Sequence, residues 1–414
     1  MSDETDQATS APARRRGRSW LAIGLLVVAV GAVGARLATV LSAGPPNATV
    51  SSLVADSVAV PGTAPAPSWP AEGEAAVAIP SLDVAAQSPT QHAVPIGSIT
   101  KLMTAWVVLK DHPLSGHVSG PSVTVTAADV ASWQNDLATD QSNVAIASGE
   151  TLTERQLLEG LLIHSGNDYA QILAEFDDGS IDAFVSKMNA EAAALHLGST
   201  HYADASGYSP LSVSTPADQV RLASTALENP TIRAIVSQTS VTLPVAGTVD
   251  TYTPFDGVDG VIGVKSGLTS QAGGCDLLAI EPVIAGARVL VLSAVTGQSG
   301  ANNLTKAGFD ALFLAKQAAG QVRTVPIATT VAPVGTVGWG SRSTSLYVTR
   351  HVQSPAWPGA TLHVDLAVAE PHRGRIVAGS TLGSIEVASG SLLTSTPLEA
   401  AGDVSPPGFF ERVV

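Results

Sequence analysis

Residues 95–108 read PIGSITKLMTAWVV, and apolar side chains recur in them every three or four positions. This period predicts a helix that begins near residue 97. Residues three apart share one face of a helix, so the amine of Lys101 can lie beside the hydroxyl of Ser98. A lysine with a lowered pKa can take the proton of a serine and make it a nucleophile, and the helix N-terminus supplies N–H groups for an oxyanion. A helix-capping serine beside a solvated lysine is the alternative.

A second pair of polar residues, Ser165 and Asn167, lies between a helical pattern over about 152–163 and another that starts at Asp168. A hydroxyl and a carboxamide at such a break can face the same cleft. There they could relay a proton and hold a substrate amide. An ordinary turn or helix cap would use the same residue types.

The third group is Lys265-Ser266-Gly267, at the end of a β-type run. A strand with a small residue lets a substrate backbone lie alongside it. The ammonium of Lys265 and the hydroxyls of Ser266 and Thr269 suit a carboxylate ligand. An edge strand protected by a lysine is the alternative.

Each of the three motifs occurs once. Of six Lys only Lys101 has Ser three positions earlier, of eight Asn only Asn167 has Ser two positions earlier, and Lys-Ser/Thr-Gly is found at one place. The set and its order, SxxK, SxN and K-T/S-G, are those of the penicillin-recognising serine acyl enzymes.

With these residues the chain resembles the D-alanyl-D-alanine carboxypeptidases among the low-molecular-mass penicillin-binding proteins, over roughly residues 73–315. The similar blocks are residues 95–108, LTERQLLEGLLIHSGNDYAQILAE (152–175), FVSKMNAEAAALHLGSTHYADASG (184–207) and GVKSGLTSQAGGC (263–275). The resemblance implies an α/β (α+β) penicillin-binding-protein/β-lactamase-like transpeptidase fold with a small C-terminal all-β domain.

The resemblance also implies a catalytic group. Ser98 would attack the peptide carbonyl of D-Ala-D-Ala in a peptidoglycan stem peptide, Lys101 would be its base, and Ser165 would relay the proton to the leaving D-alanine. β-Lactams would acylate the same Ser98. No cofactor and no metal are expected.

The implied substrate-binding residues are Asn167 and the run from Lys265 to Thr269. Asn167 would bind the substrate amide, and Lys265 and Ser266 would hold the terminal carboxylate. Gly267, Leu268 and Thr269 complete the strand beside the substrate, and the N–H groups of Ser98 and Leu268 would form the oxyanion hole.

Three positions depart from the family pattern. Ser266 stands where Thr is more usual and keeps the hydroxyl. Leu268 stands where His is frequent in some members, but its backbone is what the oxyanion hole requires. An Arg often precedes the Gly-Phe pair equivalent to Gly308-Phe309, and here the segment GQSGANN (297–303) has none.

Three other functions remain open from the sequence alone, two of them enzymatic and one a binding role. A β-lactamase would need a deacylating Glu, and no Glu-x-x-x-Asn segment lies between Ser165 and Lys265. A D,D-endopeptidase would use the same machinery on cross-linked peptides. A catalytically retired cell-wall-binding protein is disfavoured because all three motifs are intact.

The remaining sequence predicts five regions. Residues 1–18 hold RRRGR and form a cytoplasmic basic tail, and residues 19–42 form a transmembrane signal anchor, with a cleaved signal peptide as the alternative. Residues 43–72 are rich in Pro, Ala and Ser, which favours a semi-extended linker. Residues 73–322 form the catalytic domain and residues 323–414 the β domain. A bacterial single-pass membrane protein with an extracytoplasmic catalytic domain is expected.

Helix and strand signals within residues 73–322 favour strands at both ends and helices in the middle. This order predicts a sheet whose first strands pair with its last. Thr151 and Glu154 match a capping box ahead of a helix, and Thr215 and Asn229 each precede a Pro at a first helical position.

Charge and cysteine content exclude several classes. The net charge is −14, and because residues 1–42 carry five Arg against three acids, the remainder carries −16. Such a chain repels nucleic acid. The single Cys275 excludes an intrachain disulfide framework and a thiolate metal cluster, and is predicted to be a buried core residue.

Overall fold

The computed structural model of the protein describes residues 16–116, 118–368 and 372–413. Residues 1–15 of the predicted cytoplasmic tail lie outside the described residues. In the described part the α-helices are α1 (Arg16–Ala43), α2 (Lys101–Asp111), α3 (Ala127–Ala138), α4 (Glu154–Leu162), α5 (Asn167–Asp178), α6 (Ile181–Ala194), α7 (Pro216–Ala226), α8 (Pro230–Val236), α9 (Asn303–Ala319) and α10 (Phe409–Val413).

The strands fall into three groups along the chain. Strands before residue 154 are β1 (Thr49–Ser52), β2 (Ser57–Ala59), β3 (Glu74–Ile79), β4 (Val84–Gln87), β5 (Val94–Pro95), β6 (Ser122–Thr124) and β7 (Thr151–Thr153). Those up to residue 298 are β8 (Val213–Ser214), β9 (Ser240–Leu243), β10 (Gly247–Asp250), β11 (Val261–Thr269), β12 (Gly273–Ile280), β13 (Val283–Ile284), β14 (Ala287–Arg288) and β15 (Val291–Gln298). The rest are β16 (Arg323–Ala328), β17 (Gly335–Trp339), β18 (Arg342–Val348), β19 (Val352–Ala356), β20 (Thr361–Val368), β21 (Thr381–Ser389) and β22 (Leu392–Ala400).

The central sheet has five antiparallel strands in the order β11-β12-β15-β3-β4. The early strand β3 pairs with the late strand β15, with Ala78 opposite Leu292, which confirms the predicted pairing of first with last. Side chains of a strand alternate between the two faces of its sheet. In β12, Leu277 and Ala279 therefore pack against the helical lobe, while Leu278 and Ile280 pack against α9.

The helical lobe covers one face of this sheet. It contains α2 and α4 to α8, whose apolar faces form one continuous core with the sheet. The helix predicted from about residue 97 is a 3-10 turn, Gly97–Thr100, followed by α2. The predicted capping box at Thr151 and Glu154 is shifted by two residues, because Thr151 belongs to a strand and the observed box joins Thr153 to Gln156.

The C-terminal domain contains a seven-stranded antiparallel sheet in the order β1-β17-β18-β22-β21-β20-β2 and a separate two-stranded sheet of β16 and β19. Its two edge strands, β1 and β2, come from residues 49–59, which we call the N-terminal clasp. The clasp supplies both edges although only residues 53–56 separate its strands, so the sheet is curled and its two edges lie near each other. The core of this domain is separate from the two cores of the catalytic domain.

The clasp corrects the prediction of a plain linker over residues 43–72. Thr49 pairs with Gly338, and Ser57 pairs with His363, so this segment is built into the β domain. Polar and small residues dominate it, and the alternation in so short a run was too weak to indicate a strand. The strands form because the sheet of the β domain offers two unpaired edges.

Helix α1 is the one described segment long and apolar enough to cross a membrane. Its apolar part, Trp20–Ala43, has a mean hydropathy of 2.2, and none of it is buried by the rest of the protein. This helix coincides with the span predicted over residues 19–42.

Candidate active site

Ser98 lies on the 3-10 turn that leads into α2, where the edge strand β11 approaches the helical lobe most closely. A Cβ on Gly267 would lie 2.5 Å from the carbonyl oxygen of Ile96 and 2.9 Å from the nitrogen of Ser98. Gly97 has a φ of 55°, in the left-handed region that glycine adopts without strain. Both glycines therefore allow β11 to lie in direct backbone contact with the 3-10 turn Gly97–Thr100, which we call the nucleophile turn after the predicted role of Ser98.

Lys101 is fully buried, and its Nζ has three oxygen neighbours. It lies 2.7 Å from the Oγ of Ser98, 2.6 Å from the Oδ1 of Asn167 and 3.0 Å from the carbonyl oxygen of Ser206. The oxygens of Asn167 and Ser206 can only accept hydrogen bonds. A neutral amine would donate its two N–H groups to them, and its lone pair would then face the hydroxyl of Ser98.

The surroundings of Lys101 favour this neutral form. Removal from water lowers the pKa of Lys101 well below its usual range, and the ammonium of Lys265 lowers it further. The carboxylates of Asp204, Asp168 and Asp136 oppose the shift without reversing it. Ser98 and Lys101 thus have both the distance and the protonation bias of a nucleophile and its base.

Ser165 and Asn167 lie at the break between α4 and α5. Ser165 is buried and has a φ of 66°, a left-handed conformation that costs a serine about 1 kcal/mol. The backbone N–H of Asn167 donates to the carbonyl of Ser142 at 2.9 Å, which ties the break to the loop after α3. The side-chain amide of Asn167 donates to the Oε1 of Gln141 at 2.7 Å, so Asn167 links Lys101 to that loop.

Lys265 and Ser266 lie on β11, the edge strand on the cleft side of the sheet. Lys265 is fully buried, and burial lowers its pKa to about 8. Its Nζ donates to the carbonyl of Ser266 at 3.1 Å, and the hydroxyl of Ser266 donates to the carbonyl of Tyr252 at 3.3 Å. At neutral pH Lys265 is therefore mainly a cation, and the nearby carboxyl groups of Asp256 and Asp276 partly offset the effect of burial on its pKa.

The backbone of Leu268 completes the contact with the nucleophile turn. The nitrogen of Leu268 lies 3.1 Å from where a Cβ of Gly97 would be, so it is on the side of β11 that faces Ser98. The side chain of Leu268 is half exposed. Leu268 therefore lacks the imidazole side chain that is frequent at this position in the family, but its backbone nitrogen still faces the turn of Ser98.

Two cavities meet at Ser98. Cavity A, about 400 Å³, is bordered by Thr139, Asp140, Gln141, Ser142, Asn167, Tyr208, Ser209, Pro210, Leu268, Thr269, Ser270 and Gln271. Cavity B, about 290 Å³, is bordered by Asp140, Gln141, Ser142, Ser165, Tyr252, Ser266, Gly267, Leu268 and Leu304. All nine predicted site residues therefore lie in or directly behind one cleft.

Sequence reasoning did not identify the loop that contains Ser206. The carboxylate of Asp204 accepts hydrogen bonds from the hydroxyls of Ser206 and Ser212 and from the backbone N–H of Tyr208. These bonds fix the carbonyl of Ser206 beside Lys101. The turn-forming residues of DASGYSP (204–210) were the available signal, but they do not reveal which carbonyl faces the cleft.

Two other residues that could carry chemistry, Cys275 and His164, are not among the described residues that border either cavity. Cys275 is fully buried, as predicted, and burial raises the pKa of its thiol to about 12. Among the described residues no group of His, Cys, Asp and Glu is arranged to hold a metal ion. His164, next to Ser165, packs against Tyr252 with ring centroids 4.5 Å apart.

Comparison with known proteins gives a consistent result. A family model described as D-alanyl-D-alanine carboxypeptidase matches residues 65–294. A D-alanyl-D-alanine carboxypeptidase of Streptomyces sp. is 34% identical over 198 residues, which is 43% of this chain and 65% of that protein. A D-alanyl-D-alanine carboxypeptidase of Mycobacterium tuberculosis is 33% identical over 218 residues, 51% of this chain and 70% of that protein.

One solved structure extends the similarity in fold to the β domain. The crystal structure of a D-alanyl-D-alanine carboxypeptidase from Francisella tularensis covers 83% of this chain and 96% of its own, with a TM-score of 0.55. At 18% identity this similarity concerns the fold alone. The penicillin-binding-protein fold class with an additional β domain is therefore confirmed.

Proposed function

Because this chain belongs to the D-alanyl-D-alanine carboxypeptidase family of serine peptidases, we propose that it removes the terminal D-alanine of peptidoglycan stem peptides through an acyl-enzyme on Ser98. The observation that carries the proposal is the environment of the Lys101 Nζ. Two neighbours that can only accept hydrogen bonds leave its lone pair facing a hydroxyl 2.7 Å away.

Acylation begins when Ser98 attacks the carbonyl carbon of the penultimate D-alanine. The proton of its hydroxyl passes to the Nζ of Lys101. The carbonyl oxygen becomes an oxyanion, which the backbone N–H groups of Ser98 and Leu268 stabilise. The close approach of β11 to the nucleophile turn supports this pairing of N–H groups.

Release of the leaving group requires a proton on its nitrogen. Ser165 borders the same cavity as Ser98 and Ser266, which suits it to pass the proton from Lys101 to the amine of the departing D-alanine. The C–N bond then breaks and free D-alanine leaves. Water attacks the ester of Ser98, and the shortened peptide departs with a new carboxylate.

The terminal carboxylate of the substrate would bind at Lys265 and Ser266. Among the described residues Lys265 donates one hydrogen bond, to the carbonyl of Ser266, and Ser266 itself borders cavity B, so a cation and a hydroxyl lie together near the edge of the cleft and suit an anionic group. Thr269 continues the same strand, and Asn167 would orient the substrate amide from the opposite wall. The Oδ1 of Asn167 accepts from Lys101 and one of its amide N–H bonds is donated to Gln141, so the second amide N–H is the donor that remains for the substrate.

The activity is tested by following D-alanine release from a peptide that ends in D-Ala-D-Ala. The wild type is expected to release D-alanine, and Ser98→Ala to lose about 10⁴-fold or more of the rate. The same peptide with a C-terminal amide should be a poor substrate, because it lacks the carboxylate. Equal rates for wild type and Ser98→Ala would contradict the proposal.

An endopeptidase on the same fold is the second candidate, since both activities use one acyl-enzyme. It would cleave a cross-linked peptide whose leaving group carries a further chain. Comparing cross-linked and linear peptides separates the two activities. A β-lactamase is disfavoured, because the described residues that border the two cavities include no Glu.

We propose that α1 is a single-pass anchor in a bacterial cell membrane and that the catalytic domain is extracytoplasmic. The apolar and unburied surface of Trp20–Ala43 supports this location, as does a cell-wall substrate. The full chain is expected to stay with membranes after a high-salt wash. The intact mass of the membrane-bound protein would show whether the segment is retained or has been cleaved as a signal peptide.

A further inference from the structure

The two cavities that meet at Ser98 share one carboxylate, that of Asp140, and no Lys, Arg or His is among the described residues that border them. Cavity B is bordered by Ser266, whose carbonyl accepts from the buried Lys265, and the proposed function assigns these two residues to the terminal carboxylate. Among the described residues that border cavity A, Asp140 is the one with a carboxyl side chain. A polar cavity with one negative charge is suited to a cationic group of the ligand.

The direction of β11 assigns cavity A to a particular part of the substrate. The strand runs from Ser266 in cavity B, past Leu268, to Thr269 in cavity A. With the carboxylate at Ser266 and the scissile carbonyl at Ser98, the substrate runs antiparallel to this strand. An extended peptide advances about 3.3 Å per residue. The residue just before D-Ala-D-Ala therefore lies against cavity A.

Asp140 is held in place by its backbone. It follows α3 with a φ of 55°, in the left-handed region that aspartate tolerates better than most residues. Its N–H donates to the carbonyl of Leu137 at 3.3 Å, and that of Gln141 donates to the carbonyl of Asp136 at 2.9 Å. The Asp140 side chain is exposed, and none of the ion pairs among the described residues involves it.

On the basis of the proposed function, we propose that Asp140 is a specificity residue, which binds a free side-chain amine on the residue before D-Ala-D-Ala. The enzyme then prefers stem peptides that carry a lysine-type amine at that position over peptides in which the amine is blocked. The ammonium would form a charge-assisted hydrogen bond with the Asp140 carboxylate in cavity A. Salt should weaken this preference, because the pair stays in contact with solvent.

The test measures binding separately from catalysis. Two tripeptides, Lys-D-Ala-D-Ala with the Lys α-amine acetylated and either a free or an acetylated side-chain amine, are titrated into Ser98→Ala by calorimetry. The same titrations are made with Ser98→Ala/Asp140→Asn. Ser98→Ala/Asp365→Asn is the matched control, because Asp365 is an exposed aspartate on β20 in the other domain.

Ser98→Ala and the Asp365→Asn control are expected to bind the free-amine peptide about tenfold more tightly than the acetylated one. In the Asp140→Asn variant the ratio should fall to about one. Equal affinities of Ser98→Ala for both peptides, or an unchanged ratio in the Asp140→Asn variant, would overturn the inference. Failure of the proposed function would show elsewhere, as no D-alanine release by the wild type.

Comparing peptide hydrolysis by the wild type and Asp140→Asn tests a second possible role of the Asp140 carboxylate. An acid beside Ser98 could instead assist the water that hydrolyses the acyl-enzyme. In that case Asp140→Asn would slow turnover of both peptides by the same factor. That result would overturn the specificity role, whereas a selective loss with the free-amine peptide supports it.

Discussion

On the proposed function, we expect Lys265 to determine the alkaline side of the pH dependence. Its pKa is lowered to about 8 by burial, so it is a cation below that pH and becomes neutral above it. The KM for a peptide with a free carboxylate should therefore be constant up to about pH 8 and rise above it. A pH series of KM and kcat measures this. The amide-ended peptide is the control and should show no such rise, and a KM that does not change up to pH 10 would contradict the role of Lys265.

Lys101 should instead determine how kcat falls on the acid side of the pH profile. Protonation of Lys101 removes the base, so acylation slows as the pH falls through its lowered pKa. The acid side of the profile then appears in kcat and the alkaline side in KM. This separation assigns the two buried lysines to different steps.

Gly267 tests the contact between β11 and the nucleophile turn. In Gly267→Ala the new methyl group would lie 2.5 Å from the carbonyl of Ile96. We expect acylation by penicillin to slow at least about tenfold and the protein to lose about 1–3 kcal/mol of stability from overpacking. Acylation kinetics and urea unfolding measure the two effects. Gly198→Ala, which meets nothing within 4 Å, is the control, and equal behaviour of the two variants would contradict the account.

Among these residues, the sequence predicted which side chains come together around one cleft, but only some of the contacts between them. Helix periodicity is sufficient to place Lys101 beside Ser98, because both lie within one turn. The carbonyl of Ser206 could not be predicted, since it reaches Lys101 through a loop about 100 positions away in the chain. The link from Asn167 to Gln141 is of the same kind, because a hydrogen bond between loops has no periodic signature.

The N-terminal clasp is the element for which the sequence-based prediction differs most from the structure. Its strands are three or four residues long and have no strong apolar alternation, so composition alone favoured a linker. They fold as strands because β17 and β20 would otherwise present unpaired backbone. By contrast, the central strands were predictable, because β12 and β15 are long apolar runs that are buried on both faces.

Removing the clasp should destabilise the β domain. We compare a fragment of residues 45–414 with one of residues 60–414, which lacks β1 and β2. The shorter fragment is expected to melt at least about 5 °C lower and to self-associate, because both sheet edges become exposed. Thermal unfolding and light scattering measure this. If the two fragments have the same melting temperature and both stay monomeric, the clasp does not stabilise the domain.

For the molecule as a whole, the clasp brings the β domain close to the end of α1. Residues 44–48 separate α1 from β1, which limits the gap to about 20 Å. The Nε1 of Trp339 donates to the carbonyl of Pro46 at 2.8 Å, which shortens it further. The catalytic domain contacts the β domain through the turn at Gly390, which packs on Leu82. With α1 as the proposed membrane anchor, we expect the β domain to lie between the membrane and the catalytic domain.

An acyl-enzyme at Ser98 can be detected directly from the intact mass of residues 45–414 after incubation with a penicillin, with Ser98→Ala alongside. We predict a wild-type adduct of one penicillin per chain that persists for minutes or longer, and no adduct on Ser98→Ala. The ring of the antibiotic keeps the leaving amine attached, so water releases the acyl group slowly. Rapid destruction of the penicillin without an adduct would indicate a β-lactamase. No adduct and no turnover would contradict an acyl-enzyme at Ser98.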